Sequence, residues 1–174
     1  EALCQQKNII FHFLPSRTII RVEFDPEKME ILLSNLISNA FKYTPEGGKI
    51  VLSIDETDEK VTLVVEDNGI GIQKEFQEVI FDRFFQIENT EIFSTGDGIG
   101  LSFVKHLVEL HDGTIRVESE LNKGAKFIVE LPKKERVDEP VSSEEEIIIV
   151  PKSVKENMLV VTESASSPAA PTPY

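Results

Sequence analysis

A long amphipathic helix, bounded by two strong signals, is the feature that most constrains the fold of this chain. Asp25 and Pro26 mark its start, because the carboxylate can accept hydrogen bonds from free N–H groups and proline fits the first helical position. Pro45 and the glycine pair at 47–48 end it near Thr44. Its apolar residues recur at helical spacing and form one stripe: Met29, Leu32, Leu33, Leu36, Ile37 and Ala40. Such a helix is expected to lie on a second layer of structure.

Segments with period-two alternation predict that this second layer is a β-sheet. The predicted strands are residues 9–14, 18–24, 49–55, 60–66, 114–119 and 126–131. A short helical run near 73–79 and a clearer helix from near Gly100 complete the pattern. The sequence therefore predicts an α+β fold, a two-layer α/β sandwich. Its mixed, mostly antiparallel sheet of about five strands is covered on one face by about three helices.

Charge and cysteine content argue against several classes of function. The formal net charge of −13 repels phosphate backbones and anionic lipid, so no nucleic acid and no direct membrane contact are expected. A single cysteine, Cys4, cannot form a disulfide within the chain and agrees with a cytoplasmic location. The sequence has no apolar run of membrane-spanning length and no signal peptide, and its start at Glu1 suggests a fragment of a larger protein.

The last forty or so residues differ from the rest in composition. They are rich in Glu, Ser, Pro and Ala, which cannot bury enough surface to fold alone. We therefore divide the chain into a folded domain, residues 1–132, and a poorly ordered acidic linker or tail, residues 133–174. Two apolar runs in the tail, 147–150 and 159–161, are able to pair with a sheet edge, although the sequence does not indicate which edge.

Polar residues on the long helix are the first candidates for a binding site. Asn35, Asn39, Lys42 and Tyr43 are spaced so that they line one edge of the apolar stripe. Taken alone, two asparagines in such a helix are slightly more often partly buried surface residues than ligands. The helix by itself therefore leaves both interpretations open.

Two glycine-bearing segments add to these candidates. Residues 67–71 (DNGIG) follow a hydrophobic strand and place a carboxylate at its end, although Asp-Asn-Gly is also common in simple turns. Residues 96–101 (GDGIGL) run into a helix, where free N–H groups and the helix dipole attract anions. This second segment is neither a P-loop nor a dinucleotide fingerprint, and by itself it is a weak signal.

Taken in order, the segments resemble the ATPase superfamily that joins DNA gyrase, Hsp90, histidine kinases and MutL, with sensor histidine kinases the most similar. Residues 33–45 (LSNLISNAFKYTP) resemble the family's asparagine box, and residues 67–71 and 96–101 its two glycine boxes. Residues 81–85 (FDRFF) resemble the phenylalanine box, and residues 124–127 (GAKF) the last glycine motif. The ordered set is far more specific than any one motif.

The resemblance implies a Bergerat-type fold that binds ATP with Mg²⁺. Asp67 would accept a hydrogen bond from the adenine amino group, Asn39 would offer its amide oxygen to Mg²⁺, and Lys42 would reach the phosphates. Phe81, Phe84 and Phe85 would anchor the base of the nucleotide lid, residues 86–95, in the core. The complete ATP-binding set is Asn35, Asn39, Lys42, Tyr43, Asp67, Gly69, Gly71, Ile72, Phe84, Gly96, Gly98, Ile99, Gly100 and Leu101.

Asn35 separates the possible activities. ATP-hydrolysing relatives carry a glutamate at this position, one turn before the metal-binding asparagine, where it resembles a general base. An amide cannot take a proton, so the resemblance implies a histidine kinase catalytic domain, with Asn35 and Lys42 as catalytic residues, that leaves the γ-phosphoryl group for an external nucleophile. An ATP-hydrolysing clamp-type relative, a regulatory module that binds ATP without transferring phosphate, and an anti-sigma-type serine kinase remain as alternatives.

The sequence context of the three histidines indicates where the phosphoacceptor is expected. None of His12, His106 and His111 has the context of a phosphoacceptor, so the acceptor is expected on a separate helical-hairpin domain of the same protein. A response regulator or receiver domain would follow, in the cytosolic portion of a membrane-anchored sensor.

Asp97 stands where the kinases carry a small hydroxyl residue, and its charge is expected to lower nucleotide affinity.

Overall fold

The computed structural model describes residues 8–17, 24–86 and 98–133, together with the backbone of 160–161. Two α-helices lie in these ranges, α1 (Pro26–Tyr43) and α2 (Gly100–Leu110), with short 3-10 helices at Lys74–Phe76 and Val79–Phe81. The strands are β1 (Ile10–Pro15), β2 (Lys49–Glu56), β3 (Lys60–Asp67), β4 (Thr114–Glu120), β5 (Gly124–Pro132) and β6 (Val160–Val161).

The long helix α1 begins and ends where its sequence signals predict. A side-chain oxygen of Asp25, Oδ1, accepts hydrogen bonds from the backbone N–H groups of Glu27 at 3.0 Å and Lys28 at 3.3 Å. Pro26 occupies the first turn, and the backbone leaves the helical conformation at Thr44. All six residues of the predicted apolar stripe are buried. The prediction for this element is confirmed.

The sheet is mixed, as predicted, with the strand order β4-β5-β3-β2-β1-β6. Strands β2 and β3, β3 and β5, and β4 and β5 pair antiparallel. Strand β1 runs parallel to β2, because α1 crosses over between them, and parallel to the two-residue strand β6. The predicted strand at 18–24 lies almost entirely outside the described residues.

One face of the sheet packs against the helices and forms the hydrophobic core. Alternate residues of β2, β3 and β5 supply the sheet side of this core: Ile50, Leu52, Ile54, Val61, Leu63, Val65, Phe127, Val129 and Leu131. Val104, Leu107 and Val108 of α2 join the stripe of α1 on the other side. The two-layer α+β sandwich is therefore confirmed.

The predicted helix at 73–79 takes a different form. The chain makes two separate 3-10 helices, so the described residues hold two α-helices and two 3-10 helices rather than about three helices. Lys74–Phe76 has no buried residue, and Val79–Phe81 buries only Ile80 and Phe81. Because so few side chains reach the core, a continuous α-helix would gain little from packing there.

Leucine-to-alanine substitutions on α2 test the position of the core. Leu107 is 2% exposed and Leu110 is 58% exposed on the same helix. We expect Leu107→Ala to lower the free energy of unfolding by about 2–5 kcal/mol, because it leaves a cavity between α2 and the sheet. Leu110→Ala is the matched control and should cost less than about 1 kcal/mol. Urea titrations of both variants measure the difference, and equal losses would contradict the described packing.

Candidate functional site

The C-terminal end of α1 meets the first glycine segment through the backbone. The carbonyl oxygen of Tyr43 accepts a hydrogen bond from the N–H of Ile70 at 3.2 Å. A Cβ atom added at Gly69 would lie 2.3 Å from the same Tyr43 oxygen, so only glycine allows this approach. The contact places Asp67, the last residue of β3, beside the end of α1.

Asp67 is a buried carboxylate held by the backbone. Its Oδ1 accepts hydrogen bonds from the N–H groups of Gly69 at 2.8 Å and Ala125 at 3.4 Å. Burial raises the pKa of Asp67 above its ordinary value of 3.8, the negative charge of Glu66 adds to this rise, and the two backbone hydrogen bonds oppose it. Both bonds use Oδ1, and no donor from the described residues is recorded at Oδ2.

The turn into β5 supports this carboxylate, and sequence reasoning did not place its residues in the site. Gly124 has a φ of 95°, and a Cβ atom there would lie 1.9 Å from the carbonyl oxygen of Asp67. Ala125, the next residue, supplies the second hydrogen bond to Asp67. The short glycine motif at 124–127 was the available signal for this support. Backbone donors such as Ala125 leave no mark on residue type.

The middle of α1 meets the second glycine segment. A Cβ atom at Gly100, the first residue of α2, would lie 2.6 Å from Oδ1 of Asn35, and the Asn35 Nδ2 group donates to the Ile31 carbonyl oxygen at 2.8 Å. Asn39 is half-buried, one helical turn after Asn35 and one turn before Tyr43. It therefore lies on the face of α1 between its contacts with the two glycine segments.

Two further features of this region bear on anion binding. The side chain of Ile99, which precedes helix α2, makes no hydrogen bond to the first N–H groups of the helix, and the first turn of α2 has no acidic residue. These N–H groups and the helix dipole form an end that attracts negative charge. On α1, Nζ of the Lys42 ammonium lies 5.1 Å from the centre of the Tyr43 ring. Two residues next to Gly100 differ in exposure. Ile99, which precedes the helix, is exposed, and Leu101 is partly buried against the core.

The phenylalanine segment behaves only in part as predicted. Phe81 is buried edge-on against Phe127, with ring centres 6.4 Å apart, and Phe85 is partly buried. Phe84 is 72% exposed, so the prediction that it anchors in the core is wrong. Its N–H donates to the Gly98 carbonyl oxygen at 3.0 Å, and both residues have positive φ angles, 65° and 66°. This left-handed backbone turns the Phe84 side chain outward.

Gly71 and Ile72 lie toward the turn between β4 and β5 rather than toward α1. Gly71 has a φ of 68°, and a Cβ atom there would lie 2.0 Å from the Glu120 carbonyl oxygen. The N–H of Ile72 donates to Oγ of Ser119 at 2.8 Å, and the same hydroxyl donates to the Gly124 carbonyl oxygen at 2.7 Å. Ser119 thus fixes the first glycine segment, and its alternating strand pattern gave no signal of that role.

A cleft of about 640 Å³ lies next to this turn. It is lined by residues 72–75, Gln77 and residues 117–121. The cleft meets the predicted ATP-binding set only at Ile72, so it is not the site formed by α1 and the two glycine segments. Gly96, Asp97 and nearly all of the predicted lid, from residue 87 onward, lie outside the described residues.

The described part of the chain contains no cluster of three or more His, Cys, Asp or Glu side chains able to hold a metal ion. None of its helices has the length and apolar character needed to cross a membrane.

Residues 24–135 match the family described as histidine kinase-, DNA gyrase B- and HSP90-like ATPase. Histidine kinase P4 of Formosa agariphila is 41% identical over 129 residues, covering 72% of this chain and 9% of that protein. Sensor protein SrrB of Staphylococcus aureus is 37% identical over 129 residues, covering 74% of this chain and 22% of that protein. The chain thus spans less than a quarter of the length of each of these relatives.

Solved structures of histidine kinase ThkA share the fold. Its catalytic domain, nucleotide-free, superimposes with a TM-score of 0.64 and 35% identity, over 72% of this chain and 81% of that chain. ThkA in complex with the response regulator protein TrrA gives a TM-score of 0.61 and 34% identity, over 73% of this chain and 35% of that chain.

The raised pKa of Asp67 predicts how stability depends on pH. A carboxyl whose pKa is higher in the folded state stabilises the fold fully below 3.8, and this contribution is lost as pH rises through the folded-state pKa. We therefore expect Asp67→Asn, whose Oδ1 can still accept both backbone bonds, to gain stability relative to wild type across that rise. Urea unfolding at a series of pH values measures this gain.

The exposed residue Asp58 provides the control for this experiment. Asp58→Asn removes a carboxylate from the exposed turn between β2 and β3 and should follow wild type at every pH. A constant difference between Asp67→Asn and wild type over the whole range would contradict the raised pKa.

Proposed function

This chain belongs to the histidine kinase-, DNA gyrase B- and HSP90-like ATPase family, and we propose that it is the ATP-binding catalytic domain of a two-component sensor histidine kinase. In this proposal the domain binds Mg-ATP and donates the γ-phosphoryl group to a histidine on a separate domain. The observation that carries it is the position of α1, which contacts one glycine segment at Tyr43 and the other at Asn35.

The buried carboxylate suits the recognition of adenine. Oδ1 of Asp67 is occupied by two backbone N–H groups, and Oδ2 is left to accept a hydrogen bond from the exocyclic amino group of the base. Guanine presents a carbonyl oxygen at the corresponding position, and two acceptors facing each other in a buried site are unfavourable. Burial of Asp67 strengthens this discrimination, because water cannot compensate for the lost bond.

The α1 face between the two contacts suits the phosphates and the metal. Asn39 would offer one amide oxygen to Mg²⁺, which takes oxygen ligands and keeps phosphate oxygens and water in its shell. A single neutral ligand fits this role, because the triphosphate itself brings negatively charged oxygens to the ion. The N-terminal end of α2 at Gly100 and the ammonium group of Lys42 would neutralise phosphate charge. Bound Mg-ATP supplies the transferable γ-phosphoryl group.

Asn35 supports phosphoryl transfer over hydrolysis. Its Nδ2 group donates to the Ile31 carbonyl oxygen, and its Oδ1 faces Gly100 at the start of α2. An amide in these contacts orients the helix start but cannot remove a proton from water. The domain would therefore hold the nucleotide, and the attacking group would come from the acceptor histidine.

The whole-protein context is also part of the proposal. Residues 1–132 would form the catalytic unit and residues 133–174 a linker that leads toward another module. The partners would be the helical-hairpin phosphoacceptor domain of the same protein and a response regulator or receiver domain, supported by the ThkA–TrrA complex. The domain would lie in the cytosolic portion of a membrane-anchored sensor.

Nucleotide selectivity tests the role of Asp67. We expect Asp67→Asn to lower the affinity for Mg-ATP by about 10- to 100-fold, because the amide Nδ2 would face the adenine amino group donor to donor. Affinity for Mg-GTP should fall far less, since that nucleotide never makes the bond. Isothermal titration calorimetry of both nucleotides measures the ratio, with Asp58→Asn as the control. A parallel loss for the two nucleotides would contradict the adenine contact.

Self-labelling tests the absence of an acceptor. The chain should bind ATP, yet remain unlabelled when incubated with γ-radiolabelled Mg-ATP, because none of its histidines has the context of a phosphoacceptor. It should release inorganic phosphate only slowly, because Asn35 cannot activate water. Strong self-labelling would contradict the prediction that the chain has no phosphoacceptor histidine. Steady phosphate release, lost in Asn35→Ala, would instead favour the hydrolysing relatives.

A further inference from the structure

Two side chains from separate elements hold the backbone of Ile72. The N–H of Ile72 donates to Oγ of Ser119 at 2.8 Å, and its carbonyl oxygen accepts from Nε2 of Gln77 at 3.0 Å. The same Nε2 group donates to the carbonyl oxygen of Ser119 at 2.8 Å. Gln77 follows the 3-10 helix Lys74–Phe76, and Ser119 belongs to β4. We call Gln77 and Ser119 the Ile72 clamp.

The residue types of the clamp match its partners. Both partners of the Gln77 amide are carbonyl oxygens, so its NH2 group, which has two donor hydrogens, must face them. The Ser119 hydroxyl accepts from the N–H of Ile72 and donates to the Gly124 carbonyl oxygen at 2.7 Å. A hydroxyl can do both, because it carries one donor hydrogen and acceptor lone pairs. An apolar side chain in place of either residue would lose these bonds.

The clamp joins the two segments that hold Asp67. Oδ1 of Asp67 accepts one hydrogen bond from Gly69, in the first glycine segment, and one from Ala125, in the turn into β5. Ser119 bonds to Ile72, which directly follows the first glycine segment, and to the residue before Ala125. The spacing of the two donors therefore depends on the Ser119 hydroxyl.

Backbone contacts between the same two segments are close. The N–H of Asn122 donates to the Ile70 carbonyl oxygen at 2.6 Å. A Cβ atom at Gly71 would lie 2.0 Å from the Glu120 carbonyl oxygen. Closely packed segments cannot move independently, so a shift at the clamp is passed to the donors of Asp67.

We infer that Gln77 and Ser119 are positioning residues for adenine recognition, which orient the carboxylate of Asp67 through its two backbone donors. The inference rests on the proposed function, because it assigns both residues to the adenine contact of that function. Oδ1 is held by both donors, so the spacing of the donors sets the direction in which Oδ2 points. The two residues thus act on the base through the backbone.

Nucleotide selectivity separates a positioning role from a structural one. Ser119→Ala removes both hydroxyl bonds, and Gln77→Met removes both amide bonds at similar size and without a change of charge. We expect each variant to lower the affinity for Mg-ATP by about fivefold or more and that for Mg-GTP by less than about twofold, because only ATP uses the Asp67 contact. Ser119→Thr keeps the hydroxyl and should keep the wild-type affinity. Isothermal titration calorimetry measures both nucleotides.

Matched controls come from a second serine and a second glutamine. Ser53 is half-buried in β2, and Gln73 is exposed four residues before Gln77. Ser53→Ala and Gln73→Met should keep the wild-type affinity for Mg-ATP. Parallel losses for Mg-ATP and Mg-GTP in the clamp variants would overturn the inference. A loss of Mg-ATP affinity in Ser119→Thr as large as in Ser119→Ala would also overturn it.

Titration of Asp67 without nucleotide tests the clamp independently of ATP binding. The hydrogen bonds from Gly69 and Ala125 lower the pKa of this carboxyl, against the rise caused by burial. Displaced donors stabilise the charged form less, so Ser119→Ala and Gln77→Met should raise the pKa of Asp67 further, and the two controls should not. Carbon NMR of the side-chain carboxyl measures the titration.

The two measurements distinguish this inference from the proposed function. A preference for ATP that the clamp variants retain in full would leave the proposed function intact and overturn the inference. Failure of the wild-type chain to bind either nucleotide would refute the proposed function. In that case, an unchanged pKa of Asp67 in both clamp variants would show that Gln77 and Ser119 do not position the carboxylate.

Discussion

The contact between the Tyr43 carbonyl and Gly69 is the constraint on which the site depends. It joins the end of α1 to the end of β3 so closely that a single methyl group would separate them. Because α1 is also fixed at Asn35 against Gly100, the helix is held at both ends of its polar edge. Two close approaches to glycine backbone, one by the Tyr43 carbonyl oxygen and one by the Asn35 side chain, thus set the width of the space beside Asn39.

Asp67 shows how such a frame tolerates a costly group. A carboxylate with 7% exposure loses most of its hydration, and the N–H groups of Gly69 and Ala125 only partly replace it. The positive φ of Gly124 and the hydroxyl of Ser119 hold the turn that supplies the second donor. The charge is thereby kept in place at some expense of stability, which agrees with the recognition role that we propose for Asp67.

Much of this arrangement could be predicted from the sequence, and the exceptions have physical causes. The apolar stripe of α1 and the alternating strands predict the two layers, and the motifs single out the two glycine segments that meet α1, one at Tyr43 and the other at Asn35. The outward turn of Phe84 could not be predicted, because it depends on a left-handed backbone beside Gly98. Support from Ala125 was equally hidden, since any residue can supply an N–H group. The edge that receives Val160–Val161 depends on sheet order, which local patterns do not encode.

The beginning of α2 has a consequence for ligand binding. The first N–H groups of an α-helix have no partner within the helix, and Ile99, the residue before α2, has no side-chain acceptor to offer them. An anion seated there would finish the secondary structure that the sequence leaves open. Occupancy and local order would then rise together, so that a neighbouring module could sense the filled state through the rigidity of one helical turn.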